Sequence, residues 1–483
     1  MNTEKNLYKL KKKIIFLPLL ISVFIFFSCR KENFMEGDNL NLEFSTDTVQ
    51  FDTVFTTIGS ATQNFRVINP YNKPILISSI YLAKGNTSNF RINVNGVPGN
   101  ANDIEIGAKD SLYIFVEVTV NPDRDEMIEQ DSIIFTLNGN SKDVKLVAYG
   151  QDVILIDGYI LKTQTFTKEK PYLIYNSAAV DSNAVLTIEA GSHLHFHRNS
   201  GFYVWGTLVV NGTVEEPVIF EGDRLEYDYF DVPGQWQGIH ISKISKNNYI
   251  NNAQIMNAIV GLQVDSTHNN SPQLTILNSK IEHHSFAGIY AQMSSIFAAN
   301  CLFSDCGYYS LALMRGGDYN FYNCTFGNFW SNTIRQTPSV VLNNYIEVED
   351  VVYLYSLKNA YFGNCIIWGN QDTEIGIDNK YANEGADFNY LFENCLIKYD
   401  TASKIDISQT LHFKDLFTPK EFNFKDYYTY DFQLDTLSPA QDKASLEILN
   451  KYPQILNNDL NGFSRLNDKS PDIGAYERID APK

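Results

Sequence analysis

Between residues 44 and 152 apolar and polar residues alternate in short runs, at 65–68, 75–77, 90–94, 112–120, 133–137 and 144–148. Alternation with a period of two places one set of side chains on a buried face and the other in solvent, as strands require. Asn69-Pro70, Asn95-Gly96, Asn121-Pro122 and Asn138-Gly139 separate the runs with residues that favour turns. Roughly seven strands in about 110 residues predict a β-sandwich over 44–152.

After residue 152 the alternation continues, but with a repeat. An Asn followed by a small residue recurs at Asn252-Ala253, Asn278-Ser279, Asn300-Cys301, Asn323-Cys324, Asn364-Cys365 and Asn394-Cys395, at intervals of 26, 22, 23, 41 and 30. A unit of 22 to 23 residues in a β-rich chain predicts the coils of a parallel β-helix. Asn at a fixed turn position stacks into an amide ladder that satisfies buried turn amides, and the small neighbour fits a tight interior. That assigns Cys301, Cys324, Cys365 and Cys395 to packing rather than to redox or metal chemistry, and no CxxC pair is present. A second column keeps step: Gly238-Ile239-His240-Ile241, Gly261-Leu262-Gln263-Val264, Gly288-Ile289-Tyr290-Ala291 and Ser310-Leu311-Ala312-Leu313, spaced by 23, 27 and 22.

The amino terminus bears on location. Lys5, Lys9, Lys11, Lys12 and Lys13 precede an apolar stretch from 14 to 27, too short for an ordinary membrane span, which reads as a signal peptide over 1–28. Phe26-Phe27-Ser28-Cys29 resembles a bacterial lipobox, with Phe26 where Leu is usual, and implies lipidation of Cys29; the alternative is an uncleaved anchor helix with an incidental Cys. Arg30, Lys31 and Glu32 resemble the surface-export tag of Bacteroidetes lipoproteins, which implies an outer-membrane protein facing outward. Residues 29–43 form a short tether. The formal net charge of -18 argues against nucleic acid as a partner, the basic residues at the start notwithstanding.

Phe65-Arg66-Val67-Ile68-Asn69, Phe90-Arg91-Ile92, Asp110-Ser111-Leu112 and Val147-Ala148-Tyr149-Gly150 resemble immunoglobulin-like modules of surface proteins, implying spacing or docking. Leu186-Thr187-Ile188-Glu189-Ala190-Gly191, Gly206-Thr207-Leu208, Pro217-Val218-Ile219-Phe220 and Gly234-Gln235-Trp236-Gln237-Gly238-Ile239 resemble the first coils of right-handed parallel β-helix proteins of the pectate-lyase-like superfamily. Ser438-Pro439-Ala440-Gln441-Asp442, Asp459-Leu460-Asn461-Gly462 and Pro471-Asp472-Ile473-Gly474-Ala475-Tyr476-Glu477 resemble the ending of Bacteroidetes β-helix proteins of the choice-of-anchor type. The implied organisation is all-β: an immunoglobulin-like sandwich at 44–152, a right-handed parallel β-helix at 153–435 and a C-terminal cap at 436–483. This fold hosts lyases, hydrolases, adhesins and inert stalks, so it leaves the activity open.

In the lyases and hydrolases of that superfamily the substrate lies along one strand face, which would make His240, Gln263, Tyr290 and Ala312 the groove floor. A uronate lyase needs a cation, often calcium, plus a base. Lys243 and Arg315 flank the column about three coils apart, roughly 14 Å by strand spacing. For hydrolysis the best pair is Asp265 with Asp318, near the same turn two coils apart at roughly 9 to 10 Å, the upper edge for an inverting glycosidase. The usual polygalacturonase and pectate lyase motifs are absent.

Asp223 and the loop Glu226-Tyr227-Asp228-Tyr229-Phe230-Asp231 offer calcium ligands and sugar-gripping aromatics, or simply an acidic insertion. His193, His195 and His197 alternate on one strand, presenting three imidazoles on one outward face, either as a zinc or copper site or as an ordinary exposed face. His283-His284 mark a turn, and an excursion between Ser331 and Ala360 brings Tyr345, Tyr353 and Tyr355 toward the groove or packs as a flap or an extra coil. Asp followed by Ser or Thr at Asp47, Asp52, Asp110, Asp131, Asp400 and Asp435 resembles a Bacteroidetes O-glycosylation site, a pattern that turns before strands also produce. The expected protein is a surface lipoprotein whose β-helix binds a polysaccharide or another surface ligand, with Gln263, Tyr290 and Lys243 as contacts. Alternatives are a polysaccharide lyase or glycoside hydrolase using the face from His240 to Arg315, and a structural or adhesive stalk.

Overall fold

A computed structural model describes residues 34–37, 40–56, 58–122, 127–266, 272–379, 385–467 and 469–478. The expected signal peptide and Cys29 lie outside them, as does part of the tether. No helix among the described residues is long and apolar enough to cross a membrane. The chain forms two compact units that divide after Gln151.

The first unit is a sandwich of two five-stranded sheets. One sheet orders Glu43–Phe44, Gln63–Ile68, Ser111–Val118, Phe90–Val94 and Val97–Pro98; the other orders Thr48–Phe55, Asn140–Gln151, Ile128–Leu137, Ile75–Leu82 and Ala101–Ile106. Alternate residues such as Val67, Ile114, Val116, Phe135 and Leu146 are buried between the sheets, as their period demands. The strands beyond the seven expected include Ala101–Ile106, whose Asn102, Asp103 and Glu105 break the apolar pattern of an edge strand. Asn95 and Asn138 take φ near 50° ahead of Gly96 and Gly139, which closes both hairpins.

The second unit is a parallel β-helix in which successive coils feed three parallel sheets. On the first sheet Tyr203, His240, Gln263, Tyr290 and Ala312 stand in one register, so the second sequence column is a physical row. Their neighbours Ile239, Ile241, Leu262, Val264, Ile289, Leu311 and Leu313 point inward and are buried. Inside, Phe321, Phe362, Phe392 and Phe413 stack in register with nearly parallel rings 4.5–5.7 Å apart.

The Asn column is an amide ladder. Asn252, Asn278, Asn300, Asn323, Asn364 and Asn394 all have φ between 48° and 54°, the left-handed region that Asn tolerates because its short amide can bond locally. The Nδ2 groups of Asn278, Asn300 and Asn394 donate to the Oδ1 atoms of Asn251, Asn278 and Asn364 at 2.9, 3.1 and 2.9 Å. Beside the ladder Cys301, Cys324, Cys365 and Cys395 are buried and free.

Residues 422–476 pack along the flank of the coils rather than forming a separate lid: Phe422, Phe432, Leu460, Ile473 and Tyr476 cluster with Leu302, Ile366, Trp368 and Leu396. Asn300 and Asn394 donate to the carbonyls of Ile455 and Lys443 at 2.9 and 2.8 Å, and Ser445 N–H donates to Asn364 Oδ1 at 2.9 Å. The tail motif is therefore structural: Asp459 caps the amides of Asn461, Phe463 and Glu477, and buried Arg465 pairs with Glu477 at 2.6 Å.

The 41-residue interval holds a coil strand at Val340–Asn343 and an exposed hairpin of Tyr345–Val348 with Val351–Leu354, and a buried tie joins it to the following coil. In that tie Arg335 and Glu374, both fully buried, meet at 2.6 Å. Arg335 also donates to the carbonyls of Asn328 and Thr337 and to Asn370 Oδ1.

Candidate functional site

The first sheet carries the expected row, and its most organised point lies around His240. Gly238 opens this strand at φ 107°, and a Cβ there would sit 1.6 Å from the carbonyl oxygen of Val260, so only glycine lets the two coils approach. Two residues on, His240 Nε2 lies 2.6 Å from Asp265 Oδ2, and Gln263 Nε2 donates to Asp265 Oδ1 at 3.2 Å. Both partners of the pair are about 30% exposed, at 29% and 31%. The His240 contact holds the Asp265 carboxyl below its ordinary value; burial opposes this, and Gln263, the His240 charge and more weakly the Arg315 charge reinforce it.

Aromatic rings lie on and beside this row. Tyr203 meets the His240 ring edge-on at 5.7 Å, and Tyr290 packs against Phe286, which also contacts Tyr308 and Tyr309. A polar edge follows the same sheet: Asn343 Oδ1 accepts from the Arg315 amide, and Asn343 Nδ2 and the Tyr345 hydroxyl both donate to Asp378. Tyr203, Phe286 and Tyr309 were not singled out in the sequence; Tyr203 is recoverable because it precedes His240 in the same register.

The other expectations fare differently. Lys243 is exposed in the turn after the His240 strand. Asp318 pairs in register with Ser295 and Asn359, whereas Val264, just before Asp265, pairs with Ala291 and through it with Leu313. The two aspartates thus occupy different columns and are not a facing pair. The column of Asp265 continues through Gln292 and Met314, and Asp318 lies four residues beyond it.

In the acidic loop Arg224 pairs with Glu226 at 2.9 Å and lies over the Tyr229 ring, while Asp231 accepts from the Tyr430 hydroxyl at 2.7 Å. These two carboxylates are engaged singly instead of converging on a calcium position. His284 is wholly buried and accepts from the Ala258 amide; His283 faces Tyr430 beside a cavity of about 80 Å³ that Asp305 and Trp330 also line. Burial, aided by the nearby charge of Glu282, pushes the Asp305 carboxyl well above the usual range. The Asp-Ser/Thr aspartates at 52, 110, 131 and 435 each accept from the next residue's amide; Asp110 and Asp435 do so outside the strands, Asp52 and Asp131 within them.

The three histidines do not form one exposed face. Leu194 and Phe196 point into the core as expected, and the imidazoles point away from it, yet His195 is only 3% exposed. His197 leaves the group: its Nδ1 donates to Asp223 at 2.6 Å and its ring stacks on Tyr175 at 3.9 Å. The group that joins His193 and His195 is Glu221, in register with His195 on the next coil. Glu221 follows His195 by 26 residues, the interval that separates Asn252 from Asn278, so coil length was the available signal.

Comparison with known proteins bears on the fold. A family model described as right handed beta helix region matches residues 172–326 and, overlapping, 237–415. No curated protein matches the sequence. Among solved structures, the E. coli chaperone DraB shows 14% identity over 23% of this chain and 55% of its own, with a TM-score of 0.17. A family 123 glycoside hydrolase from Clostridium perfringens, studied for glycolipid glycan hydrolysis, shows 9% identity over 26% of this chain and 30% of its own, with a TM-score of 0.18. The match spans little more than half of the first chain and under a third of the second, and superpositions this poor carry no argument.

Proposed function

The chain belongs to the right-handed β-helix family, and from that premise we propose that it is a surface lipoprotein whose first sheet face binds a complex polysaccharide. One observation carries the reading: Tyr203, His240, Gln263 and Tyr290 form a continuous outward row, partly exposed, with Phe286 and Tyr309 close by and the His240–Asp265–Gln263 network fixed within it. Sugar rings present apolar faces and hydroxyl edges, which suit aromatic rings set beside amides and carboxylates. Consecutive coils repeat at about 4.8 Å, so such a row meets an extended chain ligand at several points. The lipobox-like Phe26-Phe27-Ser28-Cys29 and the Arg30-Lys31-Glu32 segment after it support lipidation at Cys29 and outward display.

A lyase reading draws on the 2.6 Å contact between His240 and Asp265, which would orient an imidazole base. The purified chain should be run in gels containing acidic or neutral polysaccharides, while unsaturated-uronate absorbance and reducing ends are followed with and without calcium. Retardation lost in Tyr290→Ala and Gln263→Ala, without cleavage, is the expected result. Cleavage abolished by His240→Ala would replace binding with catalysis, and silence in both assays would leave a stalk or adhesin.

A further inference from the structure

On another sheet of the β-helix, His193, His195 and Glu221 bring together three side chains able to ligate a metal. His193 and His195 project to the same side of the strand His193–Phe196, their rings 6.1 Å apart and 27° from parallel. The next coil sets Glu221 directly beside His195, with Oε1 3.3 Å from His195 Nδ1. One ligand atom from each of the three lies within 4.8 Å of the others. We propose that these residues bind a divalent transition ion of the zinc class through two imidazoles and one carboxylate, with a fourth position open to water or to an oxygen of a ligand.

Bonds of about 2.0–2.1 Å at tetrahedral angles put neighbouring ligand atoms about 3.3 Å apart. The His195–Glu221 edge already has that length. The other two edges are at most 4.8 Å, and His193, exposed on its strand, is the ligand that would turn to shorten them. Two nitrogen donors and one oxygen suit zinc, copper or nickel, whereas calcium requires six to eight oxygens.

The surroundings favour the ion as well. The His195 ring, only 3% exposed, also meets the backbone of Gly222, which helps to fix its orientation. The proposal is independent of polysaccharide binding, because none of its residues belongs to the His240 row.

The test is calorimetric titration of the EDTA-stripped full-length chain, in detergent, with Zn²⁺, together with Co²⁺ substitution read by visible d–d absorption. One equivalent should bind, with a Co²⁺ band of tetrahedral intensity. His193→Ala and Glu221→Gln, both checked by circular dichroism, should each weaken binding by at least about tenfold, while His197→Ala, whose ring is engaged by Asp223, should not. Absence of saturable binding, unchanged affinity in both variants, or an equal loss in His197→Ala would overturn the assignment. The conservative Glu221→Gln variant keeps the test decisive if His193→Ala misfolds.

Discussion

Asp265 Oδ2 and His240 Nε2 meet at 2.6 Å across adjacent coils, with Gln263 in register with the histidine and bonded to the aspartate. The contact fixes an imidazole that would otherwise rotate on an open sheet face. Its sign with pH follows from Asp265, whose folded carboxyl lies below its ordinary 3.8, chiefly through the His240 contact. A depressed folded value gives stability that is complete above the unfolded pKa and disappears as pH falls through the folded one. The melting-temperature gap between wild type and Asp265→Asn should therefore be steady above about pH 5 and shrink below about pH 4. A gap that widens in acid would contradict this origin.

The tie between Arg335 and Glu374 is fully buried. Glu374→Ala would strand the guanidinium and release the amides of Ser339 and Gln371, which donate to the same carboxylate at 2.8 Å. A loss of about 3–5 kcal/mol in denaturant unfolding is expected. Glu216→Ala, which removes the exposed partner of Lys168, should cost under about 1 kcal/mol.

Gly238→Ala sets a methyl group against the Val260 carbonyl and forces φ 107° on a residue with a Cβ. The combined strain should exceed about 2 kcal/mol and weaken polysaccharide retardation by displacing His240. Unchanged melting would show that the coils can separate there at little cost.

Cys301, Cys306, Cys324, Cys365 and Cys395 are buried and unpaired, and burial pushes the Cys306 thiol up. In a Cys29→Ser chain, a thiol-reactive dye should label none of them in the native state and all five in guanidinium. Rapid native labelling of any one would place an opening in the coil stack.

The fold was legible because both repeats are local rules. Asn repeats where the turn needs a left-handed φ, and the Gly-Ile-His-Ile type of quartet repeats where two apolar residues face inward around one outward residue. The site was less legible because it depends on pairing between coils of unequal length. His240 and Gln263 could be aligned from their interval, but the column of Asp265 runs on to Gln292 and Met314, four residues short of Asp318. The three histidines alternate as read, yet nothing in their own strand reveals that His195 is buried, that Asp223 takes His197, or that Glu221 completes the cluster.

The flank contacts of residues 443–475 impose an order on folding. Coil-to-coil pairs join residues some 22 to 30 positions apart in most turns, so each coil can settle on its predecessor without waiting for the rest of the chain. The bond from Asn300 to the Ile455 carbonyl and the bond from the Ala475 amide to Thr325 span 155 and 150 residues. Those links close only after every coil has been made. A helix with its coils stacked but the tail unplaced would leave one apolar flank, around Leu302, Ile366 and Leu396, still bare.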